Sequence, residues 1–145
     1  MTNLSTKLAA LEDAGRPIRV GIIGAGKFGS MYISQSHRTK GVRLAAIADL
    51  APERALNALK KTGFPEEQYD VTASLSLEEG LKQGKTAITT DSAQLIATPG
   101  IDVILEVTGN PAAGVKHALL CCAHKKHIQK KQASSTRWRT AISPP

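Results

Sequence analysis

Gly24-Ala25-Gly26-Lys27-Phe28-Gly29 spells GxGxxG, a spacing that lets backbone alone hold a phosphate. Gly24 permits a tight turn. Gly26 lets the main chain approach an anion, because any Cβ would occupy that space. Gly29 lets a following helix lie close on the strand before it. A helix opening there leaves unpaired N–H groups, and its dipole favours negative charge. The pattern alone is generic, so its surroundings decide. Asp49 lies 20 residues beyond Gly29, where a carboxylate can accept hydrogen bonds from ribose hydroxyls. The same charge would repel a 2′-phosphate. The combination reads as a dinucleotide site that favours NAD, with NADP kept open by the nearby Arg54.

A second group follows later in the chain. Thr108-Gly109-Asn110 comes after an apolar run and before Pro111. In doubly wound sheets ligands lie across such strand ends, so the loop is expected to line the path toward a nicotinamide. Asn110 also fits as a helix cap, and one loop can serve both purposes. Glu106 reads either as a buried, paired acid or as a polar neighbour of the nicotinamide ribose. His117, His124 and His127 lack a suitably placed third ligand, so no metal site is expected. The adjacent Cys121 and Cys122 point to different sides of a helix, which suits packing better than redox chemistry. No catalytic residue can be assigned.

These residues need elements to position them. IRVGII at 18–23 is a short β-branched run, as in a strand buried on both faces. A helix is expected from the glycine loop to the polar stretch Ser36–Lys40. VRLAAIA at 42–48, TAITT at 86–90 and DVILEV at 102–107 read as further strands. Pro52 opens a helix over 52–62, LEEGLKQ at 77–83 is a weak helix, and Asp91 or Ser92 caps a short one. Asn110 and Pro111 begin a helix that runs to about residue 124. Strands alternating with helices predict an α/β, Rossmann-like doubly wound parallel sheet of about five strands, incomplete at its C-terminal edge. Ahead of it, Leu4, Leu8 and Leu11 mark a leading helix within 1–16 that should lie beside the domain at 17–128.

The formal net charge of the 145 residues is +7, which invites a nucleic-acid or membrane reading. Its location argues otherwise. Residues 1–123 carry 13 Lys and Arg against 12 Asp and Glu, whereas 124–145 carry six cations and no acid. The basic tail over 129–145 is expected to be solvated and without structure. One aromatic there, Trp138, is too few for base stacking. No apolar stretch is long enough for a membrane span, no signal peptide is evident, and the cysteine usage suits the reducing cytoplasm.

RPIRVGIIGAGKFGSMYISQ, IADLAPERA and GIDVILEVTGNPAAGVKHAL resemble the N-terminal domain of homoserine dehydrogenase-like oxidoreductases, which are related in layout to the glucose–fructose oxidoreductase group. The resemblance spans residues 15–128. It implies an NAD(P)-binding domain followed by a catalytic domain of similar or greater size. It carries Gly24, Ala25, Gly26, Lys27, Phe28, Gly29, Asp49, Thr108, Gly109 and Asn110 over as cofactor contacts. After Ile128 the likeness ends in QKKQASSTRWRTAISPP, so a truncated relative is expected, cut by a frameshift near codon 128. The groups handling a small alcohol or carbonyl substrate would then lie outside the chain, to be supplied by a missing domain, a partner or a homo-oligomer. The alternatives are a stand-alone NAD-binding module or sensor and, behind it, a basic nucleic-acid binder.

Overall fold

The computed structural model describes residues 3–72, 74–131 and 138–141. Strand β1 (Ile18–Ile23) lies centrally, between β2 (Val42–Ala48) and β4 (Val103–Glu106). Outside these run β3 (Ala87–Thr89) on one side and β5 (His127–Lys131) then β6 (Trp138–Ala141) on the other. The order is β3-β2-β1-β4-β5-β6. The first five strands pair in parallel, and β6 pairs antiparallel with β5, Ile128 opposite Ala141 and Lys131 opposite Trp138.

Helix α1 (Leu4–Asp13) precedes the sheet, and α2 (Lys27–Ser36) and α3 (Pro52–Lys61) follow β1 and β2. Helix α4 (Leu77–Gln83) leads into β3. Its Ser76–Glu79 capping box accounts for a helix that its internal glycine left weak in the sequence. Helices α5 (Ser92–Ala97) and α6 (Pro111–Ala123) flank β4. Proline opens α3 and α6, where its missing N–H costs nothing.

Parallel strands covered on both faces need apolar side chains in both directions. Val20, Ile22, Leu44 and Ile47 meet Ile33, Ala55, Leu59 and Phe64 on one side. Ile23, Ala46 and Ile104 meet Leu95, Ile96, Cys121 and Ile128 on the other. Each fully buried Ile or Leu contributes roughly 1.5–3 kcal/mol. Burial also pushes the Cys121 thiol up to about 11, reinforced by its neighbour Cys122.

The leading helix has no fully buried residue, and Leu4 stays 71% exposed, while Leu8, Ala9 and Leu11 are half-buried. It is tied to the domain by the Glu12 carboxylate, which accepts the Gly41 N–H at 2.7 Å. Gly41 has φ +79, and a Cβ there would meet the Leu8 carbonyl oxygen at 2.1 Å.

The expectation that changes is the basic tail. Residues 129–131 complete β5 and 138–141 form β6, because backbone pairing along β4 needs no apolar side chains. Residues 132–137 and 142–145 of that tail lie outside the described residues. Lys126, counted with the tail's cations, is buried and donates its Nζ to the Thr98 carbonyl. Burial pulls its ammonium below the ordinary lysine value.

Candidate functional site

The strand order reverses between β1 and β4, and a crevice opens over their carboxyl ends, as such sheets require. It is a cleft of about 390 Å³. Gly24, Gly26 and Asp49 line one bank, with Leu50 and Arg54 at the β2 side. Thr108, Asn110, Ser92 and His117 line the other.

The glycine loop is built by contact. Gly24 has φ +101, and a Cβ there would lie 3.1 Å from the Thr108 nitrogen. At Gly29, on the buried side of α2, a Cβ would lie 2.3 Å from the Gly24 carbonyl oxygen. Gly26 differs: its Cβ would meet nothing within 4 Å. It is the N-cap of α2 and offers no side-chain acceptor to the first-turn N–H groups. The loop therefore leaves backbone donors and open space together at one helix end. A phosphate fits both, so the residues present suit a dinucleotide.

Asp49 lies at the end of β2 and is 8% exposed. Its Oδ2 accepts the Ala25 N–H and its Oδ1 the Ala51 N–H, each at 2.8 Å. The carboxylate thus ties β2 to the glycine loop. About four lone-pair sites on a carboxylate leave room for ribose hydroxyls as well. Arg54 stands 3.8 Å away with its side chain 61% exposed.

Across the cleft, the Asn110 side chain accepts the Ala113 N–H at 3.2 Å, so the predicted cap forms in the loop that also lines the cleft. Beneath it, Glu106 is 1% exposed, and its Oε1 accepts both the N–H and the hydroxyl of Thr108. The same oxygen lies 3.7 Å from His117 Nδ1, just beyond hydrogen-bond reach. Burial pushes the Glu106 carboxyl up, but His117 and the Thr108 donors outweigh it, and its pKa falls below the ordinary glutamate value. His117 Nε2 meets Ser92 Oγ at 2.9 Å.

Of the residues expected from the sequence, Gly24, Gly26, Asp49, Thr108 and Asn110 line the cleft together. Ala25 supports Asp49, Phe28 lies partly in the core, and Gly29 is buried under the loop. Lys27 and Gly109 are exposed and lie outside the lining. Glu106 is a buried acid paired with Thr108. Ser92 and His117 form a pair that the sequence does not signal. They stand 25 residues apart, and no local spacing connects them. Among the described residues no group of three or more His, Cys, Asp or Glu side chains could hold a metal, and no helix is long and apolar enough to cross a membrane.

Residues 18–129 match the profile of the GFO/IDH/MocA oxidoreductases, described as an oxidoreductase family with an NAD-binding Rossmann fold. Inositol 2-dehydrogenase of Pseudarthrobacter chlorophenolicus is 36% identical over 93 residues, which is 61% of this chain and 24% of that protein. Two solved structures share the fold. Myo-inositol dehydrogenase from Lactobacillus casei, in complex with NAD(H) and myo-inositol, has a TM-score of 0.59 at 20% identity over 79% of this chain and 28% of its own. Biliverdin reductase from Synechocystis sp. PCC 6803, in complex with biliverdin and NADP+, has a TM-score of 0.57 at 18% identity over 79% and 29%. The chain thus spans about a quarter of the length of these relatives.

Proposed function

Because the chain belongs to the GFO/IDH/MocA family of oxidoreductases with an NAD-binding Rossmann fold, we propose that its cleft holds the dinucleotide along the glycine loop, Asp49 and the Thr108–Asn110 loop. Gly24, Ala25, Gly26, Lys27, Phe28 and Gly29 form the turn and helix start that take the pyrophosphate. Asp49 accepts the adenosine ribose hydroxyls and favours NAD over NADP. Thr108, Gly109 and Asn110 border the nicotinamide half. The nicotinamide, when bound, supplies the hydride chemistry, and the residues named here bind and orient it.

In the longer relatives we read this as the dinucleotide-binding part of an oxidoreductase acting on a small alcohol or carbonyl compound, within the homoserine dehydrogenase-like branch. The motifs VGIIGAGKFGSM and EVTGNP support that branch. Substrate handling then belongs to a catalytic domain or partner, and the residues named here serve binding. The cysteine usage supports a cytoplasmic location. Nucleic acid and membranes are not partners in this reading, since the cationic excess lies at the C-terminal end and Lys126 is buried.

The open space at Gly26, set at the N-terminus of α2, carries this proposal. Its test is ligand-observed NMR with NADH on wild type and Gly26→Val. Wild type should bind. The variant should lose binding while staying folded, with only a modest fall in melting temperature from the poorer N-cap, because its side chain clashes with nothing and fills the phosphate's space. An absence of NADH signal in wild type overturns the reading.

A further inference from the structure

The dinucleotide reading leaves unused the side chains of Ser92, His117 and Glu106, which run from the cleft lining to a buried carboxylate. Their geometry dictates a direction. His117 is 6% exposed, and its Nδ1 is buried with no hydrogen-bond partner. That atom faces the Glu106 carboxylate at 3.7 Å. A bare lone pair there would oppose a negative charge, whereas an N–H is attracted to it. In the neutral ring the proton therefore sits on Nδ1, which makes Nε2 the acceptor. Ser92 Oγ, 2.9 Å from Nε2, must then donate its hydroxyl hydrogen to the ring. With its hydrogen committed inward, the serine oxygen keeps only lone pairs for the cleft that it lines.

We propose that Ser92 is a ligand-binding residue whose polarity is fixed by its neighbours: it presents a hydrogen-bond acceptor and selects a hydroxyl or amide N–H on the bound dinucleotide. His117 and Glu106 act as positioning residues, the first through Ser92 and the second through His117. Glu106 also holds Thr108, whose hydroxyl accepts the Asn110 N–H at 3.2 Å. One buried carboxylate thereby sets both the loop of the second bank and the direction of the Ser92 hydroxyl.

The inference rests on the dinucleotide reading, and its test separates the two. Titration calorimetry with NADH and with ADP-ribose is run on wild type, Ser92→Ala, Ser92→Thr and Gly26→Val. Ser92→Ala should weaken NADH binding about tenfold, the worth of one good hydrogen bond. Ser92→Thr, which keeps the hydroxyl, should restore most of it. A loss seen with both ligands places the donor on the ADP-ribose part, and a loss confined to NADH places it on the nicotinamide side. Nitrogen-15 NMR of histidine-labelled protein should show His117 protonated on Nδ1 in wild type, and a mixture of tautomers in Glu106→Gln. Unchanged NADH affinity in Ser92→Ala, with Gly26→Val inactive, overturns this inference alone. A His117 proton on Nε2 also overturns it. Wild type that binds neither ligand overturns both readings.

Discussion

The two banks of the cleft are made from different materials. The β1–α2 bank is backbone: it depends on what three glycines lack, and one carboxylate, Asp49, pins it to β2. The β4–α6 bank is side chain: Glu106 holds Thr108 from below and faces His117, which meets Ser92 from another helix. The first bank fails when atoms are added. The second fails when a charge or a hydrogen bond is removed. A binding site with one bank of each kind has two independent ways to be damaged, and these should be separable by experiment.

The largest effect belongs to the glycine bank. Gly29→Val places a side chain against the Gly24 carbonyl, which is main chain and cannot step aside. We expect a loss of about 3 kcal/mol, the upper range for overpacking, and a fall of roughly 10 °C in melting temperature. Differential scanning calorimetry checks it. A stable Gly29→Val protein would break the contrast between the banks.

A smaller effect is expected from Glu106→Gln, about 1 kcal/mol at neutral pH, since glutamine still accepts from Thr108. Its pH dependence is more telling. The folded Glu106 carboxyl lies below the ordinary value of 4.5. Its charge therefore adds stability that is fully present above that value and is lost as the pH falls through the lower folded value. Urea melts over this window should show the gap between wild type and variant closing as the solution becomes more acid. A gap that widens would mean that the carboxylate is not held as described.

The smallest effect lies on the rim. Arg54→Ala removes an exposed partner of Asp49 and should change stability by under about 0.5 kcal/mol. It should still sharpen selection, because Arg54 stands 3.8 Å from Asp49, where a cation can meet a 2′-phosphate. The ratio of NADPH to NADH dissociation constants should rise in the variant.

Much of the first bank was legible in the sequence. Glycines at fixed offsets, a β-branched run before them and an acid 20 residues on are local facts, and the chain order alone places them together. The caps at Asp91 and Asn110 and the prolines opening α3 and α6 were legible for the same reason. The second bank was legible only in part. Thr108 and Asn110 could be placed by the strand end before them. The meeting of Ser92 with His117 depends on α5 and α6 covering the same face of the sheet, and that arises from crossovers rather than from spacing. The tail misled for a different reason. His127 and Ile128 mark the start of a further strand, but the polar, acid-free continuation reads as solvated, whereas main-chain pairing carries β5 on to Lys131 and adds β6.

The far corner of the sheet, where α1 rests on Gly41, works like a latch rather than a foundation. Its apolar grip is partial, since Leu8, Ala9 and Leu11 of α1 are only half-buried, and the Glu12 carboxylate adds a bond from the Gly41 amide. The next bond along, from the Ile18 amide to the Gly41 carbonyl, joins β1 to the turn before β2 and does not involve the helix. The leading helix can therefore lift without disturbing the sheet register, and the only main-chain donor it uncovers at Gly41 is that one amide. Its proton is a one-atom gauge of how often this corner opens, readable against a sheet whose own amides stay shut.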